Sequence, residues 1–228
     1  MKKLLGLLFF AGISCSVKSQ NIYIQGGVNL ANITSNEHGH VEKNKMLTSL
    51  NAGIMAGFGF SKLVDLETGL LFTGRGSKAE TSFGNGDYVK AKFNPYYIEL
   101  PLNLVVNFPL NSSSKLFVHA GPYAAAGVGG KSSLEIKTGP IVTTTENEIQ
   151  YAGEEPFSSD EDDASYYKLK RMDFGVNMGG GLKLNRVIVK VNYGLGLTKI
   201  NSTENDNNAN DKNKYRTLSL SVGVPLGN

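Results

Sequence analysis

The sequence predicts an all-β chain, an eight-stranded antiparallel up-and-down transmembrane β-barrel. Three observations carry that expectation: an export signal ahead of residue 21, segments that alternate apolar and polar residues with a period of two, and connections that alternate between short turns and long polar stretches.

Residues 1–20 read as a secretory signal peptide. Lys2 and Lys3 precede an apolar run from Leu4 to Ile13, and small or polar residues follow through Gln20. The apolar run is about ten residues, too short to span a bilayer as a helix. Residues 21–228 remain as one domain, long enough for a single packed interior. Cleavage near Ser19 or Gln20 removes Lys2, Lys3 and Lys18, and leaves 20 basic residues against 20 acidic. A neutral mature chain gives no basis for a nucleic-acid partner. The single cysteine, Cys15, lies within the signal. Gly12 stands where a lipoprotein acylation site usually carries Leu, so Cys15 is read as discarded with the signal, leaving no thiol for a disulfide or a metal.

No stretch of the mature chain offers eighteen consecutive apolar residues, so a transmembrane helix is not expected. Alternation takes its place. From Tyr97 to Phe108, Ile98, Leu100, Leu102, Leu104, Val106 and Phe108 alternate with Tyr97, Glu99, Pro101, Asn103, Val105 and Asn107. Val187, Val189, Val191, Tyr193, Leu195 and Leu197 alternate with Ile188, Lys190, Asn192, Gly194, Gly196 and Thr198, and Leu218, Leu220, Val222 and Val224 with Thr217, Ser219, Ser221 and Gly223. Two faces of opposite chemistry mean a strand between two environments.

The same pattern places strands over 22–33, 48–60, 64–75, 93–108, 116–130, 169–184, 187–200 and 214–226. Short turns follow at 61–63, 109–115 and 185–186, and long polar loops at 34–47, 76–92, 131–168 and 201–213. An even strand number with this asymmetry is the habit of outer-membrane barrels, and it puts both termini at the periplasmic end. A lipid band about 25 Å tall, crossed at a tilt of about 40°, needs roughly ten residues per strand. Closure satisfies every strand's backbone where no water is available.

The polar register sets the orientation. It is rich in Gly, Asn, Ser and Thr, with a few charges of both signs, which suits a narrow interior better than a water-facing surface. Glu67, Arg75, Glu99, Arg171, Asp173 and Lys190 are therefore expected to pair inside the lumen. The apolar register faces lipid, with Phe60 and Phe108 near one interface and Phe72, Tyr96 and Phe174 near the other; the chain has no Trp, so Phe and Tyr make the girdle.

Several segments carry a family likeness: Gln25–Ile33, Leu66–Lys78, Tyr97–Leu102 and Ala120–Tyr123. Together they resemble the PorT-like outer-membrane β-barrel family, among the small OmpA/OmpX-like barrels, over nearly the whole mature chain. The resemblance implies the barrel fold and, through the founding type, an association with protein secretion and gliding; it implies no catalytic residues. The C-terminus, Val224 to Asn228, departs from the pattern by lacking the terminal aromatic common in bacterial barrels.

Other candidate chemistry is weaker. Ala125 to Ser132 formally matches a phosphate loop with Ala125 in place of the first Gly, but no helix pattern follows to present amides to a phosphate. His38, His40 and His119 are scattered, the last on the inward register of its strand; His38 or His40 could meet Asp87 or Asp163 at the rim, but ordinary solvated loop residues are the preferred reading. Glu154, Glu155, Asp160, Glu161, Asp162 and Asp163 crowd the third long loop, where their spacing fits no calcium loop. They are read as the interaction loop of a non-enzymatic structural or interaction scaffold without cofactors, with a small passive channel as the alternative. The expected partners are outer-membrane lipid and lipopolysaccharide, envelope or secretion-system proteins, and the barrel-assembly machinery during biogenesis.

Overall fold

A computed structural model describes residues 20–34, 36–37, 40–41, 46–152, 168–200 and 214–227. In chain order the strands are β1 (Gln20–Thr34), β2 (Asn36–Glu37), β3 (His40–Val41), β4 (Leu47–Gly59), β5 (Val64–Gly74), β6 (Ser77–Ser82) and β7 (Tyr88–Pro109). They continue as β8 (Lys115–Thr138), β9 (Ile141–Glu148), β10 (Gln150–Ala152), β11 (Lys168–Lys170), β12 (Met172–Leu184), β13 (Val187–Gly196) and β14 (Lys214–Pro225). Among the described residues there is no helix.

Eight of these strands close on themselves. β1, β4, β5, β7, β8, β12, β13 and β14 each pair antiparallel with the next, and β14 pairs back onto β1 from Tyr23↔Pro225 to Thr34↔Lys214. Following the register round the ring from Gln20, through Phe58, Leu66, Leu104, Ala120, Met178, Tyr193 and Leu218, returns to β1 at Leu30, ten positions further on. A stagger of that size across eight strands tilts them by roughly 40° and leaves an interior just wide enough for side chains.

Alternation then sorts the side chains. Ile24, Val28, Leu50, Ile54, Leu66, Leu70, Leu100, Leu102, Leu104, Val191, Leu218 and Leu220 all point outward and are exposed, a continuous apolar belt that only hydrocarbon can cover. Phe60 and Phe108 lie at its short-turn end, while the Phe72 and Tyr96 rings meet at 5.3 Å at the other. The inward register is buried. Small residues on β12 make room for large ones on β8 at directly paired positions, Gly175 against Tyr123 and Gly181 against Phe117. A Cβ at Gly175 would lie 2.5 Å from the Tyr123 ring and 2.2 Å from the Leu195 carbonyl oxygen.

Two of the long connections expected as loops are largely strand. In 76–92, β6 pairs with the extended start of β7; in 131–168, β8 runs on to Thr138 and turns back as β9. Weak polarity contrast conceals β6 and β9, whose residues, SKAETS and IVTTTENE, put Ser, Thr, Asn or charged side chains on both faces. The strand expected over 169–184 is broken at Arg171, between β11 and β12, and that over 187–200 ends at Gly196. The loop over 201–213 and the signal segment 1–19 lie outside the described residues.

Candidate functional site

The lumen is built by the odd-numbered positions of β5, β7, β8 and β12 and the even-numbered ones of β13, all turned to the axis by the same two-residue repeat. Toward the long-connection end, Arg75 forms ion pairs with both Glu99 and Asp173. The three residues are 3%, 6% and 3% exposed. The guanidinium lies 4.5 Å from the centre of the Tyr123 ring and 5.4 Å from that of Tyr97. Tyr123 donates its hydroxyl to Asp173 Oδ2 at 2.9 Å, and Asn177 donates to Glu99 Oε1 at 2.8 Å.

Toward the short turns, Lys190 pairs with Glu67 Oε1, whose second oxygen accepts the Tyr23 hydroxyl at 2.6 Å. Between the two ionic groups runs a neutral relay. Ser221 donates to Asn51 Oδ1 at 2.9 Å, Asn51 to Asn29 Oδ1 at 2.6 Å, and Asn29 to Thr73 Oγ1 at 2.8 Å. Among the described residues a mid-barrel cavity lined by Asn51, Thr73, Glu99 and Lys190 measures about 30 Å³, room for about one water. Apolar clusters flank the polar core. Tyr23, Met55, Val105, Phe117 and Ile188 close the lower lumen, and Tyr97, Tyr123, Leu169, Ile200 and Tyr215 the upper.

Glu67, Arg75, Glu99, Asp173 and Lys190 thus come together in the lumen. Arg171 does not: its side chain is exposed, and its carbonyl accepts the Gly127 amide at 2.7 Å. The regular alternation begins only at Met172, so counting by twos from Asp173 misplaces it. The acidic positions Glu154, Glu155, Asp160, Glu161, Asp162 and Asp163 lie outside the described residues, as does His38. His119 is buried on the inward face of β8, with its ring beside Phe117. Residues 125–132 are strand, with no helix after them to hold a phosphate. Sequence reasoning missed Tyr23, Tyr123 and Asn177, although their register position marks them as inward-facing.

Above the barrel, β6, the start of β7, the end of β8 and β9 form a four-stranded antiparallel sheet. Polarity inverts here. The face continuous with the lipid belt now carries Lys78, Glu80, Lys90, Lys92, Lys131, Glu135 and Glu146, while Val89, Ala91, Phe93, Leu134 and Ile136 share the other. The inversion sets in just past Tyr96, where an extra residue, Val128, bulges from β8 and switches the register against β7. Asp87 links the two hairpin tips by accepting the Gly139 amide at 2.7 Å. Lys90 and Glu135 pair across the ladder at 3.5 Å. A hydrogen bond from Tyr88 holds the Glu135 carboxyl below its ordinary range and raises the Tyr88 hydroxyl above its own.

A closed eight-stranded ring, an apolar belt, an aromatic rim and a filled interior define a small transmembrane barrel of the outer-membrane class. The chain belongs to the family described as outer membrane protein beta-barrel domain, whose model matches residues 16–202. No curated protein matches it in sequence. Among solved structures it is similar to Ail, the attachment invasion locus protein of Yersinia pestis, at 11% identity, with 92% of this chain and 100% of Ail covered and a TM-score of 0.39. It is also similar to Neisserial surface protein A, at 12% identity, with 91% and 99% covered and a TM-score of 0.43.

Proposed function

We propose that the protein is a non-enzymatic scaffold of the outer membrane, which holds the protruding β6–β9 sheet at the cell surface for a partner in the envelope. The observation that carries this reading is the sheet itself. Its strands continue those of a rigid barrel, and its two tips are tied through Asp87, so it presents a fixed shape. β9 is exposed along its whole length and, among the described residues, pairs on its β8 side alone, which leaves a backbone edge for a further strand. The charged outer face of the sheet, next to the lipid belt, suits lipopolysaccharide headgroups. The likeness to PorT-like barrels supports a secretion accessory as the biological setting, with envelope or secretion-system proteins as partners. Insertion would follow export on a cleaved signal and delivery to the barrel-assembly machinery. Ion pairs across the lumen weigh against the passive channel.

The test replaces residues 133–146 by a two-residue Asn-Gly turn. The variant should insert at normal level, yet reproduce the envelope phenotype of a gene deletion. A wild-type phenotype at normal surface level would overturn the scaffold reading.

A further inference from the structure

The short-turn end of the barrel opens into a recess of about 440 Å³, within the size range of small-molecule sites. Its charges do not balance. Lys115 on β8 and Lys183 on β12 stand directly opposite each other in the ladder, both on the inward face, and Lys62 enters from the turn between β4 and β5. Like charges placed directly across a strand pair repel. Two carboxylates line the same recess and both are engaged. Asp65 takes Lys183 at 3.1 Å and Asn107 at 2.8 Å, while Glu67 is held by Lys190 and Tyr23. Lys62 and Lys115 have no ion pair among the described residues. The Phe117 ring, 5.3 Å from the Lys183 ammonium, helps hold that charge in the recess. The apolar ring of Met55, Phe117 and Val105 closes the inner end.

We propose that this recess binds a compact periplasmic dianion, of the phosphate or dicarboxylate class, between Lys62, Lys115 and Lys183. Asp65 offsets Lys183, so two ammonium charges, those of Lys62 and Lys115, remain unmatched in the recess; a single negative charge would offset one of them, whereas a dianion balances both and finds a dead end that holds it. Low-dielectric walls focus the field of the three ammoniums on the space between them.

The experiment uses ¹⁵N-labelled full-length barrel refolded in detergent, titrated slightly above neutral pH with sodium phosphate, there mainly the hydrogenphosphate dianion, and, separately, with disodium succinate, at ionic strength held constant with sodium chloride. Saturating shifts confined to amides around Lys62, Lys115 and Lys183 are expected, with the dissociation constant raised at least tenfold in K115Q and unchanged in K170Q, whose lysine is exposed on β11. Saturation by phosphate alone identifies a phosphate source, and by succinate alone a carboxylate source. Shifts that do not saturate, that match those of sodium chloride, or that persist at wild-type affinity in K115Q overturn the proposal. K62Q, in an exposed turn, serves the same purpose if K115Q fails to refold.

Discussion

Arg75 and Asp173 stand 98 positions apart in the sequence and meet inside the barrel as a buried ion pair, with Glu99 completing the group on the other side of the guanidinium. Three strands, β5's end, β7 and β12, are tied across the axis by this one cluster.

Removing the cation alone should therefore cost much more than removing the whole group. Arg75→Met strands two buried carboxylates and is expected to destabilise the barrel by about 3–5 kcal/mol, whereas R75M/E99Q/D173N together should recover most of the loss. Urea unfolding in lipid vesicles checks both. A neutral Arg75→Met would mean that the cluster contributes nothing to closure.

The polarity inversion past Tyr96 fixes where the membrane ends. The chain has no native Trp, so single Trp reporters read depth without background. Leu102→Trp should be strongly quenched by brominated lipid chains and Lys92→Trp scarcely at all. Equal quenching would put the bilayer boundary elsewhere.

This boundary also separates what the sequence reveals from what it conceals. Within the bilayer the two faces of a strand meet lipid and a packed lumen, so Leu100 and Glu99 differ as sharply as their surroundings, and the strands and most of the lumen cluster can be read by counting in twos. Above it, Lys78 and Ala79 or Thr143 and Thr144 alternate without such contrast, and β6 and β9 pass for loop. Arg171 fails for a related reason: a bend interrupts the repeat that its neighbours obey. Tyr23 and Tyr123 were legible by position, but their hydroxyls' roles depend on carboxylates brought from distant strands.

Packing between β8 and β12 allows a sharp contrast. Gly175→Ala places a methyl against the Tyr123 ring and the Leu195 carbonyl and should destabilise by about 1–3 kcal/mol. Gly57→Ala, whose added carbon would meet nothing closer than the Asn21 carbonyl oxygen at 3.8 Å, should stay within about 0.5 kcal/mol of wild type. Similar losses in the two variants would contradict the paired large-and-small arrangement.

Glu135 gives the protruding sheet a dependence on acid. Its carboxyl is lowered in the folded state, chiefly by the Tyr88 hydrogen bond, so its contribution is present above the ordinary carboxylate range and is lost as pH falls through the lowered value. A ¹³C titration of the Glu135 carboxyl should show a midpoint below about 4.3, the unperturbed value, and Tyr88→Phe should move it up. An unchanged midpoint in Tyr88→Phe would remove the hydrogen bond as the cause.

Planar-bilayer recording from the refolded full-length protein tests the filled, closed lumen most directly. With Arg75, Glu99 and Asp173 joined across the axis and space for about one water at mid-barrel, no discrete conductance steps are expected at any applied potential that the bilayer withstands. Stable, reproducible openings of a single unit size would contradict it.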